Sequence, residues 1–518
     1  MRGGPSSTWW RVVADASRPS RRTLALRGLA WSAAYQVFQA ALSFGAMLFL
    51  VRVIPPAEYG RVGVMLGLLT VLSAGGCGMF LAHALQHGDG AEPDWSLHWS
   101  VAFYIQGGLS IACHAVAALC WMVGPYRPIA PLLHLAAIGV LLDWPNSVAA
   151  TMLRRDLNLR RYQMVYGVGT LGSTAVTLAV AAAGGGAYAI VLGSNVVLGM
   201  PFAVDLLVVR RWRPNPGWWR WPDWGAYAPA LRFGSQQVGS ALLASVRGAL
   251  QAAVLPGVVG YASIGYLSRA QVLFSSTVGR GATILQDTLY PFLPRYAGQP
   301  SAYAEKATLF ARVVLLVGVP GALYIGLEGR ALSRVLYGER WVGADPLIWP
   351  VALMSLGAMA FLVASAVLLA AGRLRACLLL DLFGAVLAVP TLAVAWAGGS
   401  IVAYAWALAV GQGLAGVIAL AAGSSLLAKG WIRAAVVPPA AGAGLAAAIV
   451  LVAAPALESL PLLAQLVVNT LAFGLGLMLA LRGLFPRPLA ELLELVPGGT
   501  RVRAWLRLGG AAAVVVAR

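Results

Sequence analysis

Lysine and acidic residues are scarce in this sequence, and their scarcity excludes one class of function. Only 11% of the 518 residues are charged, and Lys306 and Lys429 are the only lysines. A P-loop requires Gly-Lys-Ser/Thr, whereas Ala307 and Gly430 follow the two lysines, so ATP hydrolysis by that route is excluded. We therefore expect no cofactor, and coupling of transport to protons or sodium ions stays open.

Cysteine and histidine are also sparse. The sequence has no CxxC pair and no HExxH motif, which argues against disulfide frameworks and metal sites. The cysteines are expected to be buried packing residues within apolar runs. The residues concerned are Cys77, Cys113, Cys120 and Cys377, with His83, His114 and His134 in similar runs.

Apolar residues, by contrast, make up 60% of the chain, and the mean hydropathy is +0.78. Soluble domains are about 45–50% apolar and about 25% charged. The run 28–51 is uncharged, ends at Arg52 and is followed by a turn containing Pro55 and Gly60. Because roughly 20 helical residues cross a bilayer core of about 30 Å, we predict a polytopic membrane protein whose first helical hairpin covers 26–65.

Apolar runs of spanning length are separated by charged or Pro- and Gly-rich breaks. About fourteen such runs can be counted, which predicts about fourteen transmembrane helices. The runs are 28–51, 62–86, 98–124, 129–153, 163–183, 187–209, 233–255, 261–286, 307–327, 347–371, 377–397, 400–422, 434–456 and 461–481.

Basic residues are unevenly distributed between alternate connecting segments. With the N-terminus inside, the inner segments hold 26 lysines and arginines and the outer segments hold 6. This bias predicts cytoplasmic termini and an even number of spans. The predicted domains are a basic N-terminal tail (1–27), an N-lobe (28–209), a Trp-rich linker (210–232), a C-lobe (233–422), an extra helix pair (423–481) and a basic tail (482–518).

An internal repeat is visible at a constant offset. It pairs Leu26 with Leu231 and Gly60 with Gly265, and both segments have a basic start, an uncharged helix, a turn and a second helix. The alternative is a chance alignment of two apolar hairpins. A true repeat would give two parallel lobes, with a substrate site between them.

The net charge of +19 and the Trp-rich linker have two explanations. A basic surface with interleaved tryptophans resembles a single-stranded nucleic-acid platform. Positive cytoplasmic loops and an interfacial aromatic belt explain both features better, so no nucleic-acid partner is expected. Anionic phospholipid is the expected partner of the basic loops and of the tail segment Arg501–Leu508.

Several phrases together resemble the polysaccharide transporter branch, or O-antigen flippases, of the multidrug/oligosaccharidyl-lipid/polysaccharide (MOP) exporter superfamily. They are RGLAWSAAYQVFQ, FLVRVIPPAEYGRVGV, MLRRDLNLRR, GGGAYAIVLG and ASIGYLSRAQ. The resemblance covers about 26–482, and it rests on the order of the phrases because none is as specific as a catalytic motif. It implies an all-α fold of two six-helix lobes around an alternating central cavity, with an extra C-terminal helix pair.

The resemblance also implies a function and a location. The substrate would be an oligosaccharide joined by a diphosphate to a polyprenol, moved from the inner to the outer leaflet of a bacterial cytoplasmic membrane. A secondary-type transporter, not an enzyme, is implied. Glycan polymerase or export machinery would be the protein partner.

Three arginines within the spans are the candidate diphosphate ligands: Arg247, Arg269 and Arg280. Arginine binds phosphate with a planar fork and stays charged, while each arginine at the bilayer centre costs about 2.5–3.5 kcal/mol. Arg269 and Arg280 are eleven residues apart, which on one helix gives a common face and a separation of about 16 Å. The alternative is that these arginines neutralise acids or cap helix ends.

Two further residues are candidates. Arg52, at the outer end of the first span, either meets the phosphate on exit or extends to lipid headgroups. Asp143 lies within a span, two residues before Pro145, which permits a helix kink. It is either a proton or cation coupling site or the counter-ion of a cavity arginine.

Other functions remain to be weighed against the flippase. A multidrug antiporter of the same superfamily would expose acids to cationic drugs, whereas the deep spans here hold more arginines than carboxylates. A membrane glycan polymerase or ligase needs a catalytic external loop, and the outer loops are short. A structural membrane subunit would not require so many intramembrane arginines.

Overall fold

The computed structural model describes residues 21–86, 93–156 and 158–495, and these residues form helices joined by short turns. Most of the predicted N-terminal tail and the tail segment Arg501–Leu508 lie outside the described residues. The chain divides into two compact units, one made of 1–54 and 65–245 and the other of 55–64 and 246–518. This division leaves the extra helix pair in the second unit.

The described residues of the first unit form nine α-helices, two of which continue into the second unit. They are α1 (Arg21–Val53), α2 (Pro56–Leu72), α3 (Cys77–Gln86), α4 (Trp95–Met122), α5 (Ala130–Arg155), α6 (Leu159–Ala182), α7 (Ala187–Val191), α8 (Pro201–Val204) and α9 (Trp224–Val258). The Asp94 side chain caps α4 by accepting hydrogen bonds from the amides of Ser96 and Leu97, both at 3.0 Å. The predicted linker 210–232 is shorter in the structure, because α9 begins at Trp224.

The second unit holds the remaining helices and the first residues of α2. They are α10 (Gly260–Phe274), α11 (Arg280–Leu289), α12 (Pro300–Tyr337), α13 (Ile348–Ala370), α14 (Leu374–Val386), α15 (Ala388–Gly398), α16 (Ile401–Gly423), α17 (Val437–Leu457), α18 (Leu462–Leu484) and α19 (Pro486–Leu495). Glycines let α13 and α16 approach closely: a Cβ on Gly357 would lie 2.5 Å from the backbone of Gln412. Small residues serve this purpose at helix contacts in membranes.

The all-helical membrane fold is confirmed, but the count of fourteen spans is not. Eleven helices in the described part are long and apolar enough to cross a membrane, and thirteen if two bent pairs each count as one span. The bent pairs are α2 with α3 (46°) and the two halves of α9 (42°). The predicted span 261–286 is helical, but a π-helical turn at Ser275–Gly279 divides it into two α-helices of 15 and 10 residues, each too short to cross a membrane alone.

Tryptophans of the linker contribute to the core of the first unit. Trp218 stacks on Trp144 at a centroid distance of 5.5 Å, and it packs edge-on against Trp99 at 6.1 Å. Trp219 and Trp221 remain 59% and 73% exposed. The expected interfacial belt therefore accounts for part of the linker only, because its other indole rings are packed between helices.

The predicted repeat has a counterpart in the second unit, where the start of α2 crosses α10. A Cβ on Gly60 would lie 1.8 Å from the carbonyl oxygen of Tyr261, and a Cβ on Gly265 would lie 1.9 Å from that of Pro56. The offset that pairs Gly60 with Gly265 also pairs Pro56 with Tyr261. A two-fold relation makes contacts reciprocal in this way. Chance alignment of two apolar hairpins would not require it.

Candidate functional site

Arg269, on α10, lies among aromatic rings of the second unit. Its guanidinium carbon is 4.4 Å from the ring centroid of Tyr59, on the first turn of α2. The rings of Tyr59 and Tyr337 both pack against Trp341, at centroid distances of 5.5 and 6.0 Å. A guanidinium over an aromatic face gains about 0.5–2 kcal/mol, more where water is excluded. The Tyr59 ring therefore stabilises the positive charge of Arg269 without neutralising it.

The charge of Arg269 has no acidic partner in the described part of the chain. Its Nε atom is buried and lacks a hydrogen bond. The ion pairs among the described residues lie elsewhere: Arg61 with Glu58, Arg161 with Asp205, and Arg334 with Asp345. Because arginine does not lose its proton, this position keeps a positive charge and an unused donor. Such an arrangement can bind an anion.

The close crossing of α2 and α10 explains how the sequence builds this environment. Gly60 allows the backbone of α2 to approach Tyr261 on α10 more closely than any side chain would permit. Tyr59 is the adjacent residue, so the same crossing places its ring over Arg269. The glycine of the repeat therefore positions the aromatic face.

Arg247 lies in the second half of α9 and is exposed. Its Nη1 donates a hydrogen bond to Oε1 of Gln412 on α16 at 2.9 Å. It lines a crevice of about 20 Å³ together with Thr391 and Leu387. Gln412, the described hydrogen-bond partner of Arg247, is neutral and does not compensate the charge of the guanidinium group.

Arg280 is the first residue of α11 and is exposed. The π-helical turn Ser275–Gly279 separates it from Arg269, and a π-helix has hydrogen bonds from i to i+5. Eleven residues therefore no longer amount to three α-helical turns. The common face predicted for Arg269 and Arg280 assumed an unbroken helix and is corrected here.

Arg52 and Asp143 belong to the first unit. Arg52 is exposed in the last turn of α1, and its role in substrate exit stays a prediction. Asp143, on α5, accepts hydrogen bonds at Oδ2 from Gln106 Nε2 at 2.8 Å and from Ser147 Oγ at 3.0 Å. No basic side chain pairs with it within residues 21–86, 93–156 and 158–495. Its neighbours are neutral donors, which fits a group that gains and loses a proton or cation.

Sequence reasoning named the arginines but missed the aromatic residues around Arg269. Tyr59, Tyr337 and Trp341 are far apart in sequence, and no motif joins them. One indication of the role of Tyr59 was present in the sequence, because this residue directly precedes Gly60, which the repeat pairs with Gly265. The role of Trp341 required the fold.

Two solved structures have a similar fold. The lipid II flippase MurJ, in an inward closed conformation, matches with a TM-score of 0.68 and 11% identity, covering 88% of this chain and 99% of that chain. An inward-facing multidrug resistance MATE family transporter of the MOP superfamily matches with a TM-score of 0.56 and 14% identity, covering 75% and 95%. At these identities the likeness concerns the fold. The protein is a multi-pass, all-helical membrane protein with the two-lobe MOP transporter fold.

Sequence comparison gives the family. The profile described as polysaccharide biosynthesis protein matches residues 49–346, which is more than half of the chain. The chain belongs to this family, and the resemblance drawn from its sequence phrases is confirmed. No curated protein sequence matches it.

Proposed function

We propose that the protein is a flippase that moves a polyprenyl-diphosphate-linked oligosaccharide across the cytoplasmic membrane of a bacterium. Its family and fold support a transporter or flippase of a lipid-linked substrate. The observation that carries the finer proposal is Arg269, a cation among aromatic rings without an acidic partner in the described part of the chain. A diphosphate supplies the negative charge that this position lacks.

The arginines take separate roles in the proposal. Arg269 binds the diphosphate through its guanidinium, and Arg247 and Arg280 supply further positive charge in the same unit. Arginine forms paired hydrogen bonds with phosphate oxygens, so these contacts replace the hydration that the diphosphate loses. Arg52 contacts the phosphate at the outer face. The repeat unit of an O-antigen, a capsule or an exopolysaccharide would be carried.

Asp143 is proposed as the coupling group. Gln106 and Ser147 stabilise its carboxylate by hydrogen bonds, and no arginine has to be released when a proton or sodium ion binds. The excess of arginine and lysine in alternate connecting segments supports cytoplasmic termini. Anionic phospholipids of the inner leaflet would contact the basic loops, and a glycan polymerase would receive the product.

Deletion of the gene in the native bacterium tests the function. A lipid-linked oligosaccharide is expected to accumulate on the inner leaflet, with loss of the corresponding surface glycan, because the protein that moves it to the outer leaflet is missing. Extraction and mass spectrometry of the lipid fraction would identify this intermediate, and restoring the wild-type gene is the control. Normal surface glycan with increased sensitivity to cationic drugs would favour a multidrug antiporter, to which the membrane-embedded Asp143 is suited.

A further inference from the structure

A second membrane-embedded carboxyl group, Glu328, is buried in the second unit between α12 and α18. Glu328 is 9% exposed and Asn469 is 7% exposed. Asn469 Nδ2 donates a hydrogen bond to Glu328 Oε1 at 2.8 Å. Because Asn469 is seven residues inside the start of α18, the pair lies about 10 Å along that helix from its end. The carboxyl group is therefore well within the helical layer.

No cation compensates Glu328 among the described residues. Arg330 and Arg334 follow it on α12, and Arg334 pairs with Asp345 of the adjacent turn Glu339–Leu347 at 2.9 Å. Of the elements packed against α12, α13 and α17 carry no charged residue, and α18 carries only Arg482 in its last turn. The charged residues of the other packed elements form no ion pair with Glu328 in the described part of the chain. They are Arg269, Arg280, Arg295, Glu339, Arg340, Asp345, Arg433 and Arg487. An ionised carboxylate buried without a cation is costly, and such groups take up a proton instead.

The neighbouring polar groups give Glu328 no further donor. Tyr324, one turn earlier on α12, has its hydroxyl group 2.5 Å from Thr470 Oγ1, and Thr470 donates to the carbonyl oxygen of Leu466. The Tyr324 ring packs on Phe473 at 5.2 Å. Both hydroxyl groups therefore have partners other than Glu328.

An orphaned acceptor indicates the state of the carboxyl group. Asn469 Oδ1 is buried and has no hydrogen-bond partner. A carboxylate only accepts hydrogen bonds, whereas a protonated carboxyl group also has an O–H donor. A protonated Glu328 has an O–H group that can donate a hydrogen bond to Asn469 Oδ1. Its other oxygen already accepts a hydrogen bond from Asn469 Nδ2. The acid and the amide would then be joined by two hydrogen bonds, one donated by each residue.

We propose that Glu328 is a proton-binding site of the second unit and that Asn469 is its positioning residue. With H⁺ bound, the Glu328 carboxyl group is a neutral acid. The site is separate from Asp143, which lies in the first unit. It does not depend on which substrate the protein transports. An intramembrane ionisable residue without a charged partner is by default a functional candidate, and proton relays are one of its established uses.

Infrared difference spectroscopy of the full-length protein in lipid tests the proposal. The wild type at neutral pH is expected to show a protonated carboxyl band that is lost in Glu328→Gln. Glutamine keeps the size of the acid and both hydrogen bonds to Asn469, so the unfolding temperature should stay unchanged. Glu458→Gln, at the exposed end of α17, is the matched control and should keep the band. A spectrum identical in wild type and Glu328→Gln would overturn the assignment.

Two measurements that leave Glu328 intact keep the test independent of how Glu328→Gln folds, and both are made on Asp143→Asn, which removes the other candidate cation site. The band should shift in D₂O and disappear when the pH is raised far enough to ionise the carboxyl group. Titration with Na⁺ at constant ionic strength should leave the unfolding temperature unchanged. A Na⁺-dependent rise in a protein that lacks the protonated band would show that the carboxylate binds a metal cation, which contradicts the proposal.

Discussion

Asp143 in the first unit and Arg269 in the second unit are both charged residue types held inside helical layers, but their surroundings differ. Asp143 receives hydrogen bonds from two neutral side chains, Gln106 and Ser147. Arg269 lies over the ring of Tyr59 and keeps a buried Nε without a hydrogen bond. The acid is satisfied by neighbours that carry no charge, whereas the cation has a donor left over.

This difference separates two kinds of chemistry. A carboxyl group can change its protonation state at accessible pH, and neutral donors do not have to move apart when it does. An arginine in a protein cannot be deprotonated, so its charge is permanent and calls for an anionic ligand. We propose that Asp143 is a reversible cation site in the first unit and that Arg269, whose charge is permanent, is a site for anions in the second unit.

Asp143→Asn is expected to have the largest effect, and it tests whether the acid of the first unit is the cation site. Asparagine keeps an oxygen acceptor for Gln106 and Ser147, so the protein should fold and reach the membrane. It cannot bind a proton or a sodium ion as the carboxylate does, so the dependence of transport on an imposed ion gradient should be lost completely. Flipping in reconstituted vesicles, with and without the gradient, measures this. Unchanged gradient dependence would remove Asp143 from the coupling step.

A smaller effect is expected from Gly60→Ala, which sharpens the account of how Tyr59 is held over Arg269. The added Cβ would meet the Tyr261 carbonyl oxygen at 1.8 Å, and overpacking of this kind typically costs about 1–3 kcal/mol. The unfolding temperature and the binding of a diphosphate analogue should both fall. Gly63→Ala, on the same helix, is the matched control because its nearest atom is 3.9 Å away on Ile264. Equal stability of the two variants would contradict the reciprocal crossing of α2 and α10.

Much of the fold could be predicted from the sequence because a membrane constrains sequences by length and hydropathy. Apolar runs long enough to span a membrane predicted helices such as α16 and α18, with small errors at their ends. The repeat that pairs Gly60 with Gly265 predicted two related lobes, whereas the reciprocal contact between the paired segments was not predicted and is shown by the structure. The break at Ser275–Gly279 was missed, because a π-helical turn has the same local composition as an α-helix. The number of spans was affected by the same kind of irregularity.

The site could be predicted only in part. Arg269 and Asp143 stand out because charged residues are costly in a membrane span. Their partners come from distant segments: Tyr59 is on α2 and Tyr337 is at the end of α12. Glu328 was not among the candidates because the predicted span 307–327 ends one residue before it, whereas α12 continues to Tyr337 and buries it. Contacts of this kind depend on packing that periodicity does not encode.

The most direct test of the central claim is charge reversal at Arg269 and Arg280 in one variant. If the second unit binds the substrate diphosphate, Arg269→Glu with Arg280→Glu should abolish flipping of the lipid-linked oligosaccharide and export of the surface glycan. The amount of protein in the membrane should match the wild type. Arg127→Glu, in the exposed turn Gly124–Ile129, should flip normally. Wild-type surface glycan in the double variant would contradict the assignment of an anion site to these arginines.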